Sequence, residues 1–304
     1  MLEDQKRAGG GRLDARVVRY ADLKPCYNAF VDTRTPGSEA KENFTIIGPG
    51  VSENPAQHVH IAEPHGFNIG GARQPPNCVN SQHSHTTAEV FVAHTGYWRF
   101  DLGEHGEDAQ VFLGPGDTIS LPTHMFRGFT NVGTDTGFLW AILGGDDPGR
   151  VLWAPDVFEL AKDHGLVLLE NGNLVDTASG ELSPSDVSPM PVTTREQVAA
   201  LRRCSQAEAD GLVVRDAQGA GLVIGPGGRL DWPHGFTLER WHIVGSADGL
   251  EGRYVVFVHR GVVTVEGSDE PVTLRAGDTM TIPADMGRHR LTTDDAVVFA
   301  VRQV

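Results

Sequence analysis

The sequence predicts an all-β protein built from two jelly-roll β-barrels with a short helical linker between them. Three observations carry that prediction. The 304 residues include 37 glycines and 18 prolines; between these turn formers lie short runs rich in Val, Ile, Phe and Thr, the pattern of antiparallel strands. LGPGDTISLPTHMFR at residues 113–127 aligns without gaps with LRAGDTMTIPADMGR at residues 274–288, so one unit occurs twice. Each half also offers six or more strand-like runs, enough to close a barrel and remove the exposed edges of an open sheet.

The elements follow in chain order. Residues 1–55 read as an N-terminal arm and extension, the first ~15 of them lacking apolar periodicity and expected to be mobile. Residues 56–150 form the first barrel, with strands expected at FNIGGAR, EVFVAH, YWRFDL, AQVFL, DTISLP and FLWAIL. The linker spans residues 151–210. It holds one helix in DVFELAKDHG (156–165) and another in TTREQVAALRRC, starting at Thr193 with a capping box to Glu196. Between them the Ser-, Pro- and acid-rich stretch 176–191 reads as the connector. Residues 211–304 form the second barrel, from GLVIG through ERWHIV, YVVFVH, VVTVEG, PVTLR and TMTIP to AVVFAVR.

The chemistry concentrates in HSHTTAEVFVAHTG, residues 83–96. On a strand, a side-chain period of two puts His83 and His85 on one face, and a short turn leads to a second strand on which Glu89 and Phe91 share a face. Two imidazoles and a carboxylate can take three adjacent positions around a divalent ion and leave the others open. The bland alternative is two exposed histidines in a chain that has 13. His-x-His, three residues, Glu, six residues and Gly96 resembles the first motif of the cupin family, and that resemblance favours the metal reading.

The family's second motif is nearly met by GDTISLPTHMFRGFTN. Gly116, Pro122 and Asn131 are in register, but His124 stands where the family has glycine and Arg127 where it has a fourth ligand histidine. A guanidinium stays protonated and offers no lone pair, so Arg127 cannot ligate a metal. Three arrangements remain open. Arg127 holds an anionic substrate group beside a three-ligand site; or His124 takes the missing histidine's place; or the site is a relic in which Arg127 pairs with Glu89. In the second copy the positions of His83, His85 and Glu89 are Asp248, Leu250 and Tyr254, so that barrel is expected to be structural, with Arg288 and His289 as functional residues, Arg288 recognising an anion, the alternative.

The resemblance to two-domain cupins covers roughly residues 60–145 and 220–304. It implies functions that range from quercetin-type and gentisate-type dioxygenases through isomerases, decarboxylases and lyases to sugar-binding proteins. The leading expectation is a dioxygenase acting on a small aromatic or carboxylated substrate. His83, His85 and Glu89 hold the metal, with Fe(II) first and Zn, Mn or Ni as alternatives; Arg127 anchors the substrate; His124 is a fourth ligand or a proton carrier; Phe91 and Phe129 wall the pocket. The alternatives are a Lewis-acid isomerase, decarboxylase or lyase, and a non-catalytic small-molecule binder. A formal charge of −15 speaks against nucleic acid as a partner, and no apolar run or leader suggests a membrane. Three widely spaced cysteines, Cys26, Cys78 and Cys204, fit a reducing compartment. The expectation is a cytoplasmic homodimer.

Overall fold

The computed structural model describes residues 12–304 apart from Asp231, Trp232, Glu251, Ser268 and Asp269. Most of the expected mobile arm, residues 1–11, lies outside the described residues. The chain divides into two compact units, one made of Lys24–Ala217 and the other of Gln218–Val304 together with the chain before Lys24. The expected limits of the first barrel, 56 and 150, therefore both fall inside a larger body. The reason is pairing that a reading of the motifs does not reveal. Glu42–Ile47 pairs antiparallel with Phe67–Gln74, and Val213–Val214 pairs with Thr118–Leu121. The linker helix Pro155–Asp163 buries Val157 and Ala161 in a core with Val31, Phe126 and Trp153.

The Lys24–Ala217 unit is a barrel of two sheets. In the first, Val213–Val214, Thr118–Leu121, Glu89–Thr95, Gly137–Gly144, Phe67–Gln74, Glu42–Ile47 and Val59–Ile61 lie side by side. In the second the order is Leu152–Trp153, Val79–Ser84, Arg127–Asn131, Trp98–Leu102, Ala109–Leu113. Aromatic rings close the space between them: Phe91 meets Phe129 at 5.3 Å and Phe100 at 5.4 Å, and Trp98 meets Phe129 at 5.9 Å. Such edge and tilted contacts favour a rigid floor. Two motif glycines are required sterically. Gly96 turns the chain at φ +83°, where a Cβ would lie 2.7 Å from Gly137. Gly128 packs against the neighbouring strand, where a Cβ would lie 2.8 Å from the Asn80 carbonyl oxygen.

Helix starts follow local capping. The helix Arg195–Ala199 is capped by Thr194, which accepts from the Gln197 amide while the Gln197 side chain accepts from the Thr194 amide. The capping box is thus one residue later than the expected Thr193–Glu196 pair. Thr193 instead donates its hydroxyl to the Trp153 carbonyl at 2.6 Å.

The other unit is a sheet ordered Val17–Val18, Thr279–Ile282, Tyr254–Glu266, His289–Gln303, Phe236–Leu250, Gly221–Ile224, with Val272–Arg275 on Tyr254–Glu266. Leu13, placed in the expected arm, is 1% exposed in its core. An apolar side chain that can reach a sheet does not stay in solvent. Leu250 and Tyr254, at the positions of His85 and Glu89, belong to the same apolar core, and Asp248 is exposed and paired with Arg290. Among the described residues no helix is long and apolar enough to cross a membrane.

Candidate metal centre

Backbone pairing brings the motif residues together. His83 is the penultimate residue of Val79–Ser84, with Arg127 and Trp153 as its partners on the two adjoining strands. His85 follows that strand directly, and Glu89 opens the next. Ligand atoms of His83, His85 and Glu89 all lie within 4.8 Å of one another. His85 Nε2 is 3.7 Å from Glu89 Oε1, and the two imidazole rings stand 5.0 Å apart and nearly perpendicular. All three residues are buried. Of the expected ligand set, this is the part the structure assembles, and it is the one such cluster among the described residues.

The protonation states suit a cation. Burial, followed by the Arg127 charge, pushes His83 down to about 3, and burial with His83 and Arg127 holds His85 well below the usual imidazole range. Both rings are therefore neutral, with lone pairs to offer. Burial pushes Glu89 up to about 7 against the opposing effect of Arg127. Glu89 Oε2 has no hydrogen-bond partner. A buried carboxylate oxygen without a donor is costly, and a divalent ion beside it removes that cost. The donor set, two nitrogens and one oxygen, fits Fe(II), Mn, Ni or Zn.

A buried network aims His83. Its Nδ1 donates to the Ser81 carbonyl at 2.8 Å, which leaves Nε2 as the free lone pair. The Ser81 amide in turn donates to Asp32 Oδ2 at 2.9 Å. Asp32 is paired with Lys41, both fully buried, and Lys41 Nζ also donates to Asn80 Oδ1 at 3.3 Å. One ion pair thus grips two consecutive residues just before the ligand. Sequence reading missed Asp32 and Lys41, because nothing in a lone Asp or Lys marks it as buried.

Arg127 and His124 part company. Arg127 is fully buried and donates from Nη2 to the Pro122 carbonyl at 2.7 Å. Its Nε lies 4.0 Å from Glu89 Oε2, and neither Nε nor Nη1 has a hydrogen-bond partner. Burial lowers it to about 10, with Glu89 opposing, so it stays cationic at neutral pH. Arg127 thus lies behind Glu89 and is not among the residues of the cavity wall. His124 is exposed, and its backbone adopts φ +56°. Its amide donates to the His85 carbonyl at 2.9 Å and its own carbonyl accepts from Arg202. That left-handed turn sends the ring to solvent, away from the ligand cluster, so the structure brings it neither to a ligand position nor to the cavity mouth.

The ligands open onto a cavity of about 80 Å³. Phe91 and Phe129 line it as expected, and Phe30, Trp153, Asn43 and Gln57 line it unforeseen. The Trp153 ring lies 5.4 Å from that of His83. Trp98 and Trp140 are core residues, and Cys78 is packed. His60 bonds Thr45 and Lys24 backbone, and neither it nor His58 reaches the cavity.

Trp153 is itself anchored by Glu53, whose two oxygens accept from the Trp153 indole at 2.7 Å and the Val31 amide at 2.6 Å. Burial pushes Glu53 up to about 8. Its folded pKa therefore exceeds its unfolded one, and the stability this contributes is complete below pH 4.5 and lost as pH rises through 8. The linkage corresponds to at most about 5 kcal/mol. Urea melts of chelator-treated protein should show stability falling between pH 7 and 8, above the range in which the buried neutral His83 and His85 oppose the trend. Glu89 adds to the fall only up to about pH 7, so Glu53→Gln should flatten the segment from 7 to 8. An unchanged slope there would remove Glu53 from the account.

No protein-family model and no curated protein matches the chain in sequence. Solved structures do match in shape. A structure of oxalate decarboxylase, described for an element that modulates proton-coupled electron transfer, superposes with a TM-score of 0.57 at 10% identity over 97% of this chain and 78% of its own. The bacterial pirin YhhW from Escherichia coli, in complex with nickel(II), gives 0.53 at 12% identity over 94% and 96%. The Lactobacillus farciminis oxalate decarboxylase formate complex gives 0.55 at 9% over 97% and 88%. The chain has the cupin fold. Within this fold the His83, His85 and Glu89 cluster sits in one unit, and the other unit carries apolar residues at two of the three corresponding positions. At such identities the likeness establishes the fold alone.

Proposed function

We propose that this cupin is a divalent-metal enzyme, a dioxygenase acting on a small carboxylated substrate. The observation that carries the reading is the buried three-ligand cluster in which a non-ligating arginine stands where a fourth histidine is expected. Three protein ligands leave room for both a bidentate substrate and dioxygen. A bound Fe(II) would supply the redox and Lewis-acid chemistry. The chain supplies the rest. His83 is held in one tautomer through Ser81, and Glu89 is kept beside a guanidinium that favours its charged form. The aromatic walls exclude water. With a divalent ion present, the ion and Arg127 outweigh the Glu89 carboxylate by two units of positive charge. A buried excess of that sign favours an anionic ligand.

Size separates the substrate classes. The cavity, about 80 Å³, is on the order of half the ~150 Å³ that accepts a benzene ring in an engineered apolar site. Short aliphatic acids fit better than ring substrates. The same size supports a second reading, a Lewis-acid decarboxylase or lyase on a small acid, with no use for oxygen.

Elemental analysis of protein purified without added metal, beside His83→Ala, tests the first step. Near one iron per chain, absent from the variant, should be accompanied by oxygen uptake with a two- to four-carbon 2-hydroxy or 2-keto acid. Bound zinc, manganese or nickel with turnover but no oxygen uptake would replace the dioxygenase by the Lewis-acid enzyme. No metal after anaerobic reconstitution would end both readings.

A further inference from the structure

The far wall of the cavity carries polar atoms that the metal site does not use. Asn43 is 7% exposed, and its Nδ2 has no hydrogen-bond partner. Gln57 Nε2 donates to Thr45 Oγ1, while Gln57 Oε1 is buried with no partner. Asn43, Thr45 and Gln57 all line the cavity. Unsatisfied buried amides weaken a fold, and their survival on a cavity wall points to a ligand that satisfies them.

Strand register connects this wall to the ligands. Glu89 pairs with Leu143, and Phe91 with Ala141. Ala141 pairs with Gly70, and Leu139 with Ala72. Gly70 pairs with Thr45, and Ala72 with Asn43. Paired residues share a face, so one inner row runs Phe91, Ala141, Gly70, Thr45 across four strands. Its two middle members are the smallest residues available. They leave a shallow trough under the space between Glu89 and the Asn43, Thr45 and Gln57 side chains; the strands of Glu89 and Thr45 are separated by roughly 14 Å of backbone.

We propose that Asn43 and Gln57 form a second recognition subsite, and that the substrate is a short unbranched hydroxy acid. Its carboxylate faces the His83, His85 and Glu89 end, and its terminal hydroxyl lies between the two amides. A hydroxyl both accepts from Asn43 Nδ2 and donates to Gln57 Oε1, which a second carboxylate cannot do. Lys41, two residues before Asn43, is engaged by Asp32 and Asn80 and leaves the wall neutral. The inference rests on the cavity being a metal-dependent substrate site.

The test uses the full chain loaded with cobalt(II), whose visible bands report a carboxylate reaching the ion. Loading is measured first, so failure to hold cobalt overturns the metal reading, and this proposal with it, before any acid is added. The loaded protein is then titrated with 3-hydroxypropionate and 4-hydroxybutyrate against propionate and butyrate. At least one hydroxy acid should bind roughly tenfold or more tightly than its parent. Asn43→Leu with Gln57→Met, which keeps the branching and length of the side chains and removes the two unpartnered polar atoms along with the Gln57 to Thr45 hydrogen bond, should abolish the preference while the parent acids still bind. Gln57→Met alone should lower the preference several-fold, and it serves if the double variant does not fold. Equal binding of acid and hydroxy acid by the wild type, a preference that survives the substitutions, or silence to all four acids with cobalt bound would each overturn the subsite.

Discussion

His85→Ala is expected to lose the metal while the barrel remains folded. His85 lies just beyond the end of its strand, so its removal leaves the Val79–Ser84 pairing in place. What it removes is the imidazole whose Nε2 stands 3.7 Å from Glu89 Oε1. Loss of partners that merely orient a ligand lowers metal affinity by about 10- to 100-fold, so loss of one ligand in three should cost at least ~100-fold in anaerobic equilibrium dialysis against Fe(II). Activity should fall with occupancy and should not return at higher substrate. His124→Ala is the internal control, since its ring is in solvent and its structural contribution is made through backbone atoms. It should bind metal as the wild type does. Metal loss in His124→Ala, or metal retention in His85→Ala, would mean that the ligand set is not the one described.

That contrast also marks how far the sequence could be read. His83, His85 and Glu89 are legible because strand parity puts the two histidines on one face and the resemblance to the first cupin motif adds the carboxylate. Arg127 reads as an inward strand residue that anchors substrate, and it lies buried behind Glu89 and outside the cavity wall. The direction of His124 is set by its own left-handed backbone after Pro122, which only the surrounding chain decides. The Phe91 and Phe129 walls were legible from strand parity, whereas Phe30, Asn43, Gln57 and Trp153 come from segments that carry no motif.

The missed residues share a physical character. Glu42–Ile47 falls in the expected N-terminal extension, and its importance comes from register with Phe67–Gln74. Asp32 and Lys41 are charged residues of a kind that is almost never fully buried unless paired, so a sequence reading places them at the surface. Their burial becomes intelligible only once the Ser81 amide and Asn80 side chain are seen to complete their bonding. Local periodicity thus located the metal ligands, while the substrate wall depended on tertiary pairing.

Arg127 should give opposite results according to what replaces it. Arg127→Met removes the cation that opposes the burial-driven rise of Glu89. The carboxyl then holds its proton to higher pH, and a metal must displace that proton to bind. Metal affinity at pH 7 is expected to fall about tenfold or more and to recover by pH 9, because raising the pH ionises the ligand without the arginine's help. Arg127→His places an imidazole on the residue paired with His83 and facing Glu89, the position of the fourth ligand in the second cupin motif. That variant should bind metal about tenfold more tightly. It should also turn over more slowly, since an added protein ligand takes a position that substrate or oxygen needs. Tighter binding with faster turnover would show that an open position does not limit the reaction. If neither variant changes affinity at pH 7, the 4.0 Å approach of Arg127 to Glu89 carries no electrostatic weight, and the arginine is a packing residue.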